Sequence, residues 1–331
     1  MLLMVKHRKW VPVIICALMT VVLIFLIDLL NFRSGLSGSN LLEMSNITAS
    51  QSIEDSNVAA FRGRIVHNDQ LQQNNNEISH RCVRANISGM SFPVCVHGPK
   101  EDQFVSRNFI RGVYWEHQFV ERFIRLLRRF PDFEFIDLGA NLGAFTLAAA
   151  RITHVVAVEP YWKTMARLFK SVQLGGVETN VSLVFNAISN SRSTVSLGFQ
   201  RTNFGGTHLM LSSTTDCRQQ SCTQTILLDD LLPLMRGRRA VMKADIERHQ
   251  PQVFNDFTAA KFFEQIDVPL IFMEWQICRK NSNIDPSILR DLIRFFTSRQ
   301  YQMFTFDNQQ LAPDCRMWPN DIIFKKQSLE F

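Results

Sequence analysis

Beyond residue 130, apolar positions concentrate in short runs separated by polar, glycine-bearing turns. Phe133–Leu138 follows Pro131 and leads into a glycine turn, and Val155–Val158 ends on Glu159. Runs this short and continuous predict strands of a parallel sheet buried on both faces. Between them, Ala144–Ala150 has the alanine- and leucine-rich composition of a helix. The pattern therefore predicts a βαβ unit closed by an acid. Farther along, Trp162–Gly175 reads as a helix stopped at Gly175-Gly176, Val181–Ile188 and Leu270–Trp275 as buried strands, and Thr194–Phe199 as a strand added to the common core. Pro286–Ser298 is an amphipathic helix with proline in its first turn, and Tyr301–Phe306 and Asp321–Lys325 make a terminal strand pair. Upstream, Cys82–Gly98 reads as a short hairpin with Pro93 near an end, and Phe104–Phe130 mostly as amphipathic helix. Arg201–Cys222 reads as a long loop rich in Thr, Ser and Gly. These pieces predict an α/β, Rossmann-like fold, mostly parallel, with an antiparallel terminal edge.

The N-terminal third has a different pattern. Residues 10–30 are dominated by Val, Ile and Leu, with no charge from Trp10 to Ile27, long enough to span a bilayer. Lys6, Arg8 and Lys9 precede the span, which orients a cytosolic tail of residues 1–9. A cleaved signal would be shorter, with a clear small-residue cleavage site. Residues 31–80 shift to Ser, Asn and Gln without a sustained period, the composition of a flexible stem. Residues 81–331 then form the folded domain, placed in the secretory lumen. The reading is a single-pass type II membrane protein, expected in the Golgi. Sequons at Asn46, Asn86 and Asn180 agree with that orientation. Apart from Cys16 in the span there are six cysteines, an even set suited to an oxidising compartment. Sequential pairing is expected: Cys82–Cys95, Cys217–Cys222 and Cys278–Cys315. No two close C-x-x-C pairs face one another, so zinc is not expected.

Charge changes the picture little. The formal charge of +6 owes half to the N-terminal segment, and Arg122, Arg125, Arg128 and Arg129 read as the solvated face of a helix. Nucleic acid is not expected as a partner.

The chemistry sits in the βαβ unit. A dinucleotide site would show G-x-G-x-x-G, whereas Gly139-Ala140-Asn141-Leu142-Gly143 is G-x-x-x-G preceded by Asp137. An acid there would repel a pyrophosphate and suits a cationic ligand. S-adenosylmethionine, with its sulfonium and free amine, fits Asp137, and its ribose hydroxyls fit Glu159. A βαβ unit from another α/β enzyme is the plainer reading; Asp137 and Glu159 in register weigh against it.

FIDLGANLGAFTL, VVAVEP, FNAIS (Phe185–Ser189), NFGGT (Asn203–Thr207), LDDLL (Leu228–Leu232) and VMKADIE (Val241–Glu247) occur in that order. Together they resemble the FkbM-type methyltransferases, which are S-adenosylmethionine-dependent O-methyltransferases, over roughly Arg111–Lys326. The resemblance implies a class I methyltransferase fold and an oxygen acceptor, which in a lumen would be a glycan hydroxyl. It adds Glu116, from Gly112-Val-Tyr-Trp-Glu116, to a cofactor set of Asp137, Gly139, Ala140, Asn141, Gly143, Glu159 and Asn186. Trp115 reads equally as a cavity wall or a packing residue. NFGGT implies that its loop serves the acceptor, with His208 beside it as a candidate proton acceptor.

Alternation puts Lys243, Asp245 and Glu247 on one face of a strand end, where they are expected to face the acceptor. Asp245 or Glu247 would serve as general base and Lys243 would hold a neighbouring carboxylate ionised. The two acids also suit a divalent metal, although none is assigned. The sequence departs from the family here. Arg248, His249 and Gln250 stand where a glycine and a second glutamate are usual, which leaves a catalytically impaired binding protein as one alternative. A glycosyltransferase using Asp245-Ile-Glu247 as a D-x-D motif is the other, and it gives the glycine loop and Glu159 no role.

Overall fold

A residue in a parallel strand with helices on both faces points alternately into two separate cores, so most positions are apolar and a charge there needs a partner. The computed structural model shows this division. It describes residues 60–62, 64–65, 80–210, 217, 221–276, 284–312 and 314–329. Phe133 and Phe135 enter one core while Ile136 and Leu138 enter the other, and Val155 and Ala157 alternate with Val156 and Val158 in the same way.

Along the chain, β1 (Ala60–Arg62) and β2 (Arg64–Ile65) precede a hairpin of β3 (Arg81–Ile87) and β4 (Met90–Val96). Helices α1 (Val105–Ile110) and α2 (His117–Arg129) lead into β5 (Glu134–Leu138), α3 (Ala144–Ala149), β6 (Val155–Val158) and α4 (Trp162–Gly175). Next come β7 (Val181–Val184), β8 (Ala187–Ile188), β9 (Thr194–Gln200), β10 (Asn203–Met210) and β11 (Cys222–Ile226). A 3-10 turn over Leu228–Leu234 precedes β12 (Arg239–Ala244), α5 (Gln250–Val253), α6 (Ala260–Gln265) and β13 (Asp267–Glu274). The chain closes with α7 (Pro286–Thr297), β14 (Tyr301–Thr305) and β15 (Asp321–Lys326).

The main sheet runs β14-β15-β13-β12-β5-β6-β7-β1-β2. Its five central strands, β13 to β7, are parallel, and β15 and β14 close one edge antiparallel. The expected α/β Rossmann-like sheet with an antiparallel terminal edge is therefore present. Beyond β7 the antiparallel pair β1 and β2 extends the opposite edge, inside the stretch whose composition reads as stem. A second sheet, β10-β9-β11-β8, stands beside the main one.

Three local readings are corrected. The stretch 104–130 is two helices, because the chain turns through Gly112 (φ 77°) and Glu116 (φ 51°). The reading of 201–222 as loop misses β10, which holds the whole NFGGT run against β9. Pro93 lies in the middle of β4, opposite Arg84, where a two-stranded ribbon tolerates a missing N–H.

Cys82–Cys95 and Cys217–Cys222 are disulfides, as expected. Cys315 is also disulfide-bonded; Cys278, its expected partner, lies outside the described residues. Of the arginine run, Arg125, Arg128 and Arg129 are exposed, while Arg122 lies over the Phe306 ring, 4.7 Å from its centre. Among the described residues no helix is long and apolar enough to cross a membrane. The expected tail at 1–9, span at 10–30 and Asn46 sequon lie outside them. Asn86 is exposed, whereas the Asn180 side chain donates to the Ala150 carbonyl (3.0 Å).

Candidate functional site

From the central strand β5 the chain moves outward through β6 and β7, then crosses back to β12 and β13 on the other side. Neighbouring loops leave the sheet in opposite directions at that reversal, opening the crevice where such sheets hold ligands. The amides of Gly139 and Ala140 donate to Val158 O (3.0 and 2.9 Å), and Asp245 N donates to Leu138 O (3.0 Å). Gly139 has φ 82°, and a Cβ on it would lie 1.8 Å from the Asp245 carbonyl oxygen. Only glycine lets the two loops meet. At Gly143 (φ 86°), just before α3, a Cβ would lie 2.4 Å from Leu168 Cδ1, so this glycine seats α3 against α4.

A cavity opens beside these turns. Its floor holds Glu159, a 6% exposed carboxylate that accepts from Asn141 N (3.0 Å) and Tyr161 N (2.9 Å). Burial pushes its pKa up to about 7, against the pull of those two donors and of Lys243. Asn186 and Ile188 form one wall, Asp245, Glu247 and His249 another, and Thr207 and His208 of β10 a third. Asn186 Nδ2 donates to Gln224 O (3.2 Å). Among the described residues, nothing hydrogen-bonds the Asn141 side-chain oxygen, which is buried beside the cavity.

No family model matches the sequence, and no curated protein matches it. Solved structures similar to the chain include the precorrin-6y C5,15-methyltransferase of Geobacter metallireducens, at 12% identity over 64% of this chain and 89% of that one, with a TM-score of 0.32. An O-methyltransferase of Bacillus cereus, crystallised with SAH, is 12% identical over 62% of this chain and 79% of that one, with a TM-score of 0.36. A SAM-dependent O-methyltransferase of Thermotoga maritima is 8% identical over 66% and 68%, with a TM-score of 0.32.

Of the residues singled out in the sequence, Gly139, Asn141, Glu159, Asn186, Asp245 and Glu247 line the cavity. Five others are placed elsewhere. Ala140 is buried in the turn and Gly143 lies behind it. Asp137, expected to meet a cationic ligand, is 1% exposed; it accepts from Thr146 Oγ1 (2.6 Å) and sits 3.8 Å from Lys243 Nζ. Lys243, expected to face the acceptor, is 4% exposed, with Nζ 3.2 Å from both Gly139 O and Asp245 Oδ2. Burial by itself would lower its pKa, but Asp245, Asp137 and Glu116 outweigh that and raise it. It is an internal counter-charge. Glu116 lies in this charged cluster rather than on the cavity lining.

The contact of Lys243 with Asp245 fits the expected role of holding a carboxylate ionised; its facing the acceptor is corrected, because the alternation assumes a strand through Glu247. β12 ends at Ala244, and Glu247 and Arg248 turn with φ 51° and 70°. That turn brings Asp245, Glu247 and Glu274 together, with one carboxylate oxygen of each within 4.8 Å of the others. Their donor type and spacing would suit a hard cation. Their proximity also drives protonation. Burial, then Asp245 and Glu247, push Glu274 to about 9; burial, then Asp245, push Glu247 to about 7. Glu116 is raised to about 8 by burial, with Asp245, Asp321 and Asp137 adding to it and Lys243 opposing. Sequence reasoning missed Asp321, whose pKa rises to about 6 through burial and Asp245. It enters because β15 pairs it with Glu274, a register no local pattern signals. Trp115 packs against the core, and His208 lines the cavity with Nδ1 3.3 Å from Gly206 O.

Proposed function

We propose that the cavity binds S-adenosylmethionine and that the domain methylates a hydroxyl oxygen of an acceptor entering beside Glu247. The observation that carries this is Glu159: a buried carboxylate at the end of β6, fixed by two backbone donors, facing a cavity roofed by the Gly139 turn. Each Glu159 oxygen keeps a lone pair for one ribose hydroxyl. The orphaned Asn141 oxygen offers a further acceptor to the same ligand. A side chain at Gly139 would drive the Asp245 loop into the space the ligand takes.

The cofactor supplies a methyl group activated by a sulfonium. The chain's own contribution is chiefly alignment: a rigid turn and Glu159 hold one reactant while the Asp245–Glu247 turn receives the other. Glu247, with its pKa near 7, is suited to take the acceptor's proton at neutral pH. Glu274, raised to about 9, keeps its proton there and is no base.

FkbM-type membership is part of the proposal and rests on the ordered motifs. The reading extends to a glycan hydroxyl met in the secretory lumen by a type II anchored protein. It is supported by the apolar stretch at 10–30, the Asn46 and Asn86 sequons and the disulfide-bonded cysteines.

Calorimetry of the full-length protein with S-adenosylmethionine tests the core of the proposal. Binding is expected in the wild type and lost in Glu159→Ala. Glu247→Gln is expected to bind normally while methyl transfer to a hydroxyl acceptor falls about 100-fold. A folded wild type that binds no S-adenosylmethionine would remove the methyltransferase reading and leave a sugar-nucleotide enzyme or a non-catalytic binding protein.

A further inference from the structure

We propose that a groove beside the cavity binds a neutral sugar unit of the acceptor, stacked on Phe257 and hydrogen-bonded to Thr258 and Gln252. The inference rests on the glycan acceptor proposed above and gives it a place in the fold.

The groove lies between α7 and the chain that links α5 to α6. It adjoins the cavity at two points. Ile188 and His249 line the cavity, Asn190 and Pro251 line the groove, and each step of two residues spans about 7 Å at most. Ser189 Oγ lies 2.8 Å from His249 Nε2 and ties the two segments together. A unit held in the groove is therefore next to the wall that carries Glu247 and His249.

The lining carries polar atoms that the fold leaves unused. Thr258 is 7% exposed, and among the described residues nothing hydrogen-bonds its hydroxyl or the side-chain oxygen of Gln252. Beside them Phe257 is 96% exposed and Ile288 40%. Charges on the lining are already paired, Asp256 with Arg299 (2.7 Å) and Asp291 with Arg294 (3.0 Å). A bare ring, unpaired oxygens and neutralised charges fit an uncharged ligand with an apolar face and a rim of groups that both donate and accept. A sugar ring has that chemistry: its C–H face meets the phenyl ring and its hydroxyls meet the oxygens. A lipid chain would leave both oxygens unpaired. An extended peptide docks on a sheet edge, whereas the residues lining this groove come from helices and loops.

The test is saturation-transfer NMR on the full-length protein, in a detergent without a sugar headgroup, with mannotriose, N,N′-diacetylchitobiose and N-acetyllactosamine. Transfer to the ring protons of at least one of them is expected. Phe257→Ala should weaken that binding about tenfold or more, by removing the stacking face. Thr258→Val should weaken it about threefold or more, by removing a buried hydrogen bond to the sugar. Both variants are expected to melt with the wild type, because Phe257 is exposed and the Thr258 hydroxyl bonds no described residue. Calorimetry with S-adenosylmethionine on the same samples reports the cofactor site separately. No transfer to any of the three sugars, or wild-type affinity in either variant, would overturn this inference; cofactor binding in those samples would leave the methyltransferase reading intact. Phe257-dependent self-association in sedimentation, without sugar transfer, would overturn it in favour of a second copy of the chain.

Discussion

Replacing Lys243 by methionine keeps most of the side-chain volume and removes the ammonium from a buried acidic cluster. Nζ lies 3.2 Å from Asp245 Oδ2 and 3.8 Å from Asp137 Oδ1. At an effective dielectric of about 20 each attraction is about 4–5 kcal/mol before desolvation is subtracted. Breaking a buried pair by deleting one partner costs about 3–5 kcal/mol, because the remaining charges stay buried. The expected loss at pH 7 is therefore about 4 kcal/mol, a fall of about 8–16 °C in melting temperature for a domain of this size.

The pH dependence distinguishes this from a packing defect. In the wild type, Glu247, Glu116 and Glu274 titrate at about 7, 8 and 9, above their unperturbed value of 4.5. The native state therefore binds more protons than the unfolded chain, and stability falls as pH rises from 4.5 through 9. The raised pKa of Lys243 keeps its charge, and its contribution, present throughout that window. Without the lysine the carboxyl pKa values climb further, so protonation relieves the variant at low pH. Thermal unfolding at pH 5, 6, 7 and 8 should show a deficit that grows with pH. A deficit below about 1 kcal/mol at pH 7, the value of an exposed pair, would refute the buried-cluster account. So would a deficit independent of pH.

Two further outcomes follow from the same geometry. Gly139→Ala should abolish S-adenosylhomocysteine binding and cost more than the roughly 1–2 kcal/mol of a left-handed backbone, since the added carbon overlaps the Asp245 carbonyl; calorimetry and a thermal melt check both, and retained affinity would contradict it. Glu159 must be ionised to accept two ribose hydroxyls, and its pKa is about 7. Cofactor affinity should therefore rise with pH from 6 to 8, by up to about tenfold per unit below 7; a flat calorimetric profile would show that Glu159 is not the ribose acceptor.

The sequence by itself determined the parallel sheet, the Gly139 turn, Glu159 at a strand end and the terminal antiparallel pair. Those features are local. An unbroken apolar run records burial on both faces, and a glycine loop records a backbone that tolerates no side chain. NFGGT is the intermediate case: its residues at the cavity were legible, but its glycines hid a strand. Asp137 and Lys243 were visible as chemistry and misplaced as geometry, because a charged residue carries no mark of whether it faces a cavity or another charge. The structure turned them toward each other, once β12 stopped at Ala244 and the following turn carried Asp245 and Glu247 to the cavity. Only the tertiary structure could add Asp321, through its pairing with Glu274, and bring His249 against Ser189. Those contacts join segments far apart in the chain. Their register is set by the packing of the whole sheet rather than by any stretch of sequence.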